Sequence, residues 1–384
     1  MSARVKEALD RAADATGLSD FGDMAFVAGL EALLDAAEHD SDLGEAGRRA
    51  ASATVQDLLV KRLKLYADRA AYPEIAAQHI AAPLIVAGLP RSGTTFLHAL
   101  LAQDPATRSP LSWQLLQPSP PPHATPETHA ARIAASRARQ AQIPDDFKRM
   151  HLIGPELPEE CNAFTTLAFH SANLAASFAV PDYVRWYLGA DDAPAYALHL
   201  HMLQHLQAFG PSAGWVLKSP PHMFHMARLI ETYPDAQIVF PHRDPGATLA
   251  SLSSLIAYIR RGQCARVDDV EVGREMLEFW SIAIDRIMAF RADPAQADRF
   301  VDISYRTLVA DPMAAVTHVY AATGRHLSGE AEAAMRRFLA DRPKDSHGVH
   351  RYTAEQFGLN RDLIRERLAG YVATHLAAED SVTA

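Results

Sequence analysis

Cysteine is nearly missing: Cys161 and Cys264 are the only thiols in 384 residues. That excludes a disulfide framework and suits a reducing compartment. Long apolar runs are missing too, since no stretch approaches the roughly 20 apolar residues that a membrane-spanning helix needs. The segment Met1 to Gly17 is polar and charged, without the apolar core of a secretory signal. Positive charge is in deficit, with a formal net charge of -9. A nucleic-acid binder would normally carry a net basic face, whereas one basic pocket for an anionic ligand is compatible with this balance. These absences predict a cytoplasmic protein with no membrane span and no nucleic-acid partner. Nothing in the chain specifies an oligomeric state.

What is present is ordinary globular material, 48% hydrophobic and 22% charged. The length suits one large domain or two modest ones. Residues 1–80 read as a helical lead, with Phe26, Val27, Leu30, Leu33 and Leu34 at helical spacing and a second helix over about 48–69. From Pro83 the texture changes. Short apolar runs at 84–87, 215–217, 237–240 and 299–303 read as strands, each followed by a helical stretch. Such alternation predicts a parallel sheet with right-handed crossovers. Between the first and second runs, Pro118 to Pro126 holds five prolines and reads as a surface loop or lid, and 127–142 is again helical. The expected organisation is one α/β unit over 81–384 with a helical insert at about 110–210.

The sharpest local feature is Gly88-Leu89-Pro90-Arg91-Ser92-Gly93-Thr94-Thr95, between a predicted strand and a predicted helix. Glycines there let backbone N–H groups approach a phosphate, and the helix N-terminus favours an anion. The spacing is that of the nucleotide loop G-x-x-x-x-G-K-[ST], with Thr94 in place of the lysine. An NTPase uses that lysine on the β- and γ-phosphates, so its loss weakens an ATP or GTP reading. Arg91 supplies positive charge from inside the loop, in a geometry that suits paired hydrogen bonds to an oxyanion. Arg243 follows the strand 237–240, and Ser251 lies about two helical turns beyond it. Their convergence at a strand end, where open α/β sheets bind ligands, suits a phosphate dianion.

The loop resembles the 5′-phosphosulfate loop of the sulfotransferases that use 3′-phosphoadenosine 5′-phosphosulfate (PAPS), notably their bacterial and tyrosylprotein-type branches. Four more blocks, in order, carry the likeness: Leu217 to His222, His242-Arg243-Asp244-Pro245 with Ser251, Ser304 to Leu308 before Asp311-Pro312, and His347 to Tyr352. The resemblance implies a three-layer P-loop fold, with a parallel sheet, a helical lead and an inserted helical cap. It implies transfer of a sulfuryl group from PAPS to a hydroxyl of a small molecule. Ser92, Gly93, Thr94 and Thr95 would cradle the 5′ end, Arg243 and Ser251 the 3′-phosphate, and Tyr305 would lie near adenine. Arg91 and Lys218 would stabilise developing charge. The rival reading is a P-loop small-molecule kinase or NTPase, which would want a lysine at 94 and a magnesium-binding aspartate at a strand end.

The proton acceptor is less defined. Related sulfotransferases often carry a glutamate near a tryptophan such as Trp113, but here the neighbour is Gln114. His151, Glu159 and Glu160 are the replacements at hand, His151 first because imidazole titrates near neutrality. His222 is the second histidine candidate, in a loop expected to border the acceptor. The 18 histidines include pairs at helical spacing, but none carries the cysteines or glutamate of a metal motif, so no metal is expected. Phe164, Phe169, Phe178, Tyr183, Trp186 and Tyr187 fit either an acceptor pocket or the insert's own core.

Overall fold

A computed structural model of the chain describes residues 1–39, 43–341 and 352–377, the side chain of Arg149 excepted. The motif residues His347 to Arg351 lie outside the described residues. Five short strands form one all-parallel sheet: β1 (Leu84–Val86), β2 (Thr107–Arg108), β3 (Gly214–Lys218), β4 (Gln237–His242) and β5 (Phe300–Ser304). Their order is β2-β3-β1-β4-β5, with Ile85 in register with Leu217 on one side and Ile238 on the other. The chain leaves β1 towards the β3 side and later returns to place β4 on β1's other edge. That reversal opens a crevice at the carboxyl ends of β1, β3 and β4, the place where such sheets hold ligands.

The α/β fold expected from the alternating pattern is the one found, and alternation along β1 divides its layers. Leu84 and Val86 join Val216, Val239 and Val301 on one face, under the helix α4 (Thr94–Leu101) and the helix Pro312–Ala322. Ile85 joins Leu217, Ile238 and Phe240 on the other, in a core shared with the N-terminal helices and the middle of the chain. The lead contains α1 (Ala3–Thr16), α2 (Val27–His39) and α3 (Glu45–Ala71). Arg62 of α3 is buried and bridges to the central region. Its guanidinium donates to the carbonyls of Phe21 at 2.7 Å, Asp23 at 2.6 Å and Leu167 at 3.3 Å, and lies 4.1 Å from the Phe26 ring centroid. A cation this deep persists because its N–H groups are satisfied.

Two local expectations need correction, and one helix adds to them. The proline-rich stretch is not a surface lid: Pro118, Pro121 and Pro122 are buried, and the buried Arg132 donates to the carbonyls of Gln117, Pro118 and Pro120. The helical stretch expected after the run 215–217 is two pieces, a 3-10 turn over Pro220–Phe224 and a helix over Met226–Thr232. A 23-residue helix, Asp269–Arg291, was not anticipated. It starts where the Asp268 carboxylate accepts from Val270 and Glu271 N–H groups, an ordinary N-cap. Among the described residues no helix is long and apolar enough to cross a membrane.

Since Ile85 is fully buried at the sheet centre, Ile85→Ala should lower unfolding free energy by about 2–5 kcal/mol. Val270→Ser, at a position 56% exposed, should stay within about 0.5 kcal/mol. Urea denaturation of both variants checks the contrast.

Candidate active site

The loop after β1 is shaped by steric necessity. Gly93 caps α4 at φ 90°, and a Cβ there would lie 2.8 Å from Leu308 Cδ2 and 3.2 Å from Tyr305 Cδ2. Glycine is therefore required by backbone angle and by space alike. It also gives α4 no side-chain cap, leaving the first-turn N–H groups for another partner. Arg91 adopts φ 69°, a left-handed conformation costing a non-glycine residue about 1–2 kcal/mol. Strain of this kind persists where the surroundings over-determine it. Here Arg91 Nε donates to Ser251 Oγ at 3.0 Å and Nη1 to the Met150 carbonyl at 2.8 Å, while Arg243 Nη1 donates to the Arg91 carbonyl at 2.7 Å.

Arg91, Arg243, Ser251 and Tyr305, distant in sequence, thus form one cluster. The Arg243 guanidinium lies 4.1 Å from the Tyr305 ring centroid, a cation–π contact. Burial pushes Arg91 below its ordinary pKa; Tyr352 opposes this shift and Arg243 adds to it. Among the described residues neither guanidinium has a carboxylate partner. Two such cations side by side repel each other until an anion joins them.

Behind Arg243, the end of β4 is fixed by ionic ties. His242 Nε2 lies 2.8 Å from Asp302 Oδ1 on β5, and Arg291 grips the same carboxylate at 2.8 and 2.7 Å. Burial opposes ionisation of Asp302, but these hydrogen bonds hold its pKa well below the usual carboxylate range. On the far side, Asp244 caps the helix Pro245–Arg261 that carries Ser251, accepting from the Ala247 N–H at 3.0 Å.

A cavity of about 1180 Å³ opens from this cluster. Gly93, Thr94, Thr95, Arg91, Arg243 and Tyr305 line one end. His151, Glu159 and Glu160 line its middle, as do Pro220 and Pro221. Lys218, at the carboxyl end of β3, is buried beside them. Its ammonium donates to Thr95 Oγ1 at 3.3 Å and forms an ion pair with Glu160. Asn162 Nδ2 donates to the other Glu160 oxygen at 3.0 Å. His151 Nε2 stands 4.0 Å from Glu159 Oε1, and Ser112 donates to Glu159 Oε2 at 3.1 Å. Burial is the largest influence on His151 and lowers its pKa below the ordinary imidazole value; Glu159 and Glu160 oppose the shift, Lys218 and Arg91 reinforce it. A neutral ring, able to accept a proton, results at physiological pH.

Other expected residues fall elsewhere. Ser92 is buried and turns its hydroxyl back to the Leu89 carbonyl at 2.7 Å, a loop-shaping bond. His222 does not line the cavity, although its neighbours Pro220 and Pro221 do. The 3-10 turn rotates it inward, where Nε2 meets Cys161 Sγ at 3.2 Å and Nδ1 meets the Tyr196 hydroxyl at 2.7 Å. Gln114 accepts from the Leu111 N–H at 3.0 Å, closing a helix start. None of the six aromatic residues from Phe164 to Tyr187 lines the cavity. They belong to the central core or pack against it.

The chain belongs to the sulfotransferase family, whose model matches residues 83–328. Among solved structures it is similar to sulfotransferase STF1 from Mycobacterium tuberculosis H37Rv, at 31% identity, a TM-score of 0.84 and coverage of 95% of this chain and 98% of that one. It is also similar to sulfotransferase STF9 from Mycobacterium avium, at 29% identity, a TM-score of 0.87 and coverage of 96% of each chain. No match emerges among curated proteins. The family supports a transferase acting on sulfuryl groups, which is the class the five sequence blocks suggested.

Gly93→Ala should destabilise the protein by more than about 1 kcal/mol, since φ 90° excludes a side chain there. Gly329→Ala, at a site where an added Cβ meets nothing within 4 Å, should not. Thermal denaturation of the two variants separates the outcomes.

Proposed function

We infer that the protein transfers a sulfuryl group from PAPS to a hydroxyl of a small-molecule acceptor. The observation that carries this reading is the pair Arg91 and Arg243, without carboxylate partners among the described residues, next to Ser251 and a lysine-free glycine loop. PAPS brings a 3′-phosphate as well as a 5′-phosphosulfate, so it asks for two anion positions. Arg243 and Ser251 are assigned to the 3′-phosphate. Arg91, with the backbone of Gly93 to Thr95, is assigned to the 5′ end, and Tyr305 to the adenine side. PAPS supplies the electrophilic sulfur and a stable leaving group, adenosine 3′,5′-bisphosphate.

Every other task falls to the chain. His151 accepts the acceptor's hydroxyl proton as its oxygen bonds to sulfur and the bond from sulfur to the 5′-phosphate oxygen breaks. Glu159 orients that imidazole. Lys218, held by Glu160 and touching Thr95, stabilises the charge growing on the bridging oxygen, together with Arg91. The gain comes mostly from alignment and fixed cations in a half-buried cleft. A second reading gives the proton to Glu160, because this carboxylate lines the cavity and is tied to the lysine that reaches Thr95.

Adenosine 3′,5′-bisphosphate at about 100 times its dissociation constant should stabilise the fold by roughly 2.7 kcal/mol, and Mg-ATP by much less. A larger thermal shift with Mg-ATP would favour the kinase reading instead. Arg243→Ala should cost about 1.5–3 kcal/mol of affinity for the bisphosphate, and little for adenosine 5′-phosphosulfate. Equal losses would make Arg243 structural.

With His151 as base, the active form is the neutral ring. Since its pKa is depressed, activity should hold below the ordinary imidazole value of about 6.5 and fall only as pH drops through the lowered pKa. His151→Ala should reduce turnover by about 10²–10⁴-fold with bisphosphate affinity retained. Unchanged turnover in His151→Ala, with collapse in Glu160→Gln, would move the role to Glu160.

A further inference from the structure

The cavity exceeds the roughly 300–1,000 Å³ of an ordinary ligand pocket, so the donor's end is only part of it. Beyond His151 it runs between the helices Ala172–Phe178, Pro245–Arg261 and Asp269–Arg291. Its walls there are mostly apolar, with Asn173, Ser177 and Glu278 among the polar exceptions. Leu252, Leu255, Ile256 and Ile259 recur along one face of the second helix, spaced as a continuous helical stripe. Opposite stand Ala175 and Ala176, whose short side chains leave width for a guest.

The helix Pro245–Arg261 also measures the channel. Ser251 touches Arg91 at the donor end and Arg260 stands nine residues later, which spans about 14 Å. Arg260 is only 5% exposed. Its Nη1 pairs with Glu275 Oε2 at 2.6 Å and its Nε donates to the Ala176 carbonyl at 3.3 Å. Arg260 and Glu275 line a second cavity as well, of about 320 Å³, together with Glu271, Ala179 and Pro181, which the two cavities share. The ion pair therefore forms a polar partition at the end of an apolar channel. Most of the charges there are paired, unlike those of the donor end. Arg260 holds Glu275, Arg274 holds Glu271 and Arg185 holds Asp182. Such an end suits a group that hydrogen-bonds but carries no net charge, because an ion would have to displace an existing partner.

We propose that the acceptor is an elongated amphiphilic alcohol: a hydroxyl beside His151, an apolar body along Leu252 to Ile259, and an uncharged polar group at Arg260 and Glu275. This rests on the sulfuryl-transfer reading of the same site and narrows it. A compact phenol or a sugar would leave the apolar channel wet or unfilled. A chain of roughly ten carbon–carbon bonds of ~1.5 Å, in zigzag, fills it.

Calorimetric titration of the protein loaded with adenosine 3′,5′-bisphosphate, using straight-chain primary alcohols from butanol to hexadecanol, tests the proposal. Affinity should tighten about fourfold per added methylene until the chain reaches Arg260, and then level off. At the levelling length, the diol with hydroxyls at both ends should bind more tightly than the plain alcohol. Ala176→Phe should shift the levelling point to shorter chains, with Ala176→Val as the milder variant if the larger side chain prevents folding. Affinity independent of length, a levelling point unmoved by both variants, or tighter binding of phenol or glucose than of every alcohol would overturn the proposal. Failure of the bisphosphate to bind would remove the donor reading instead, and the alcohol series on the unloaded protein would still judge the channel.

Discussion

Two guanidinium groups with no carboxylate partner among the described residues set the terms for the rest of this structure. Arg91 and Arg243 come from the ends of adjacent strands, and Arg243 is bonded to the backbone of Arg91 itself. Moving either strand end would move both cations. The surroundings are correspondingly over-built. Asp302 ties β5 to His242, one residue before Arg243, and Arg291 holds Asp302 from the helix Asp269–Arg291. Met150 and Ser251 fix the Arg91 side chain from two further segments. Left-handed backbone at Arg91 and charge repulsion both cost free energy, and hydrophobic burial across two faces of the sheet offsets them. A site that is costly without its ligand is preorganised for it, so little reorganisation remains when the anion arrives.

The parts of this arrangement that were legible in the sequence are the local ones. Gly88 to Thr95 declared a strand, a tight turn and a helix, because glycine spacing and apolar runs report backbone shape directly. Arg243 and Ser251 were legible for the same reason: a strand end followed by a helix fixes where residues eight apart will point. Side-chain direction in irregular turns was not legible. The position of the loop 219–225 was foreseen, and Pro220 and Pro221 do border the cavity, but the 3-10 turn aims His222 into the core towards Cys161. Composition alone points the proline-rich segment to the surface, whereas Arg132 satisfies its carbonyls from inside.

Glu160 shows what long-range pairing hides and what signal remained. It was only one of several acids near Cys161, with nothing local to separate it from Glu159. Lys218, however, ends a strand whose other residues are apolar, and a lysine in that setting will be buried. Buried ammonium groups survive when paired. A partner carboxylate was therefore implied, although a separation of 58 residues along the chain concealed which one. The long helix Asp269–Arg291 escaped for a related reason. Its mixed apolar and charged face makes sense only once the cavity it borders is known.

Charge pairing divides the cavity into regions with different tasks. At the proposed donor end the cations have no carboxylate partner among the described residues, so an incoming anion would gain their full attraction. In the middle, Lys218 and Glu160 neutralise each other, and burial keeps His151 neutral. The proposed proton transfer would start from groups whose charges are already balanced, which limits the solvent reorganisation that the step demands. At the far end, Arg260 and Glu275 are again balanced. A chain with a net charge of -9 repels polyanions at long range, and in salt that field fades within about 8–10 Å. Selection of the proposed donor is therefore left to Arg91 and Arg243 at contact distance. An anion that matches only one of the two leaves the other unpaired, which discriminates against ligands carrying a single anionic group.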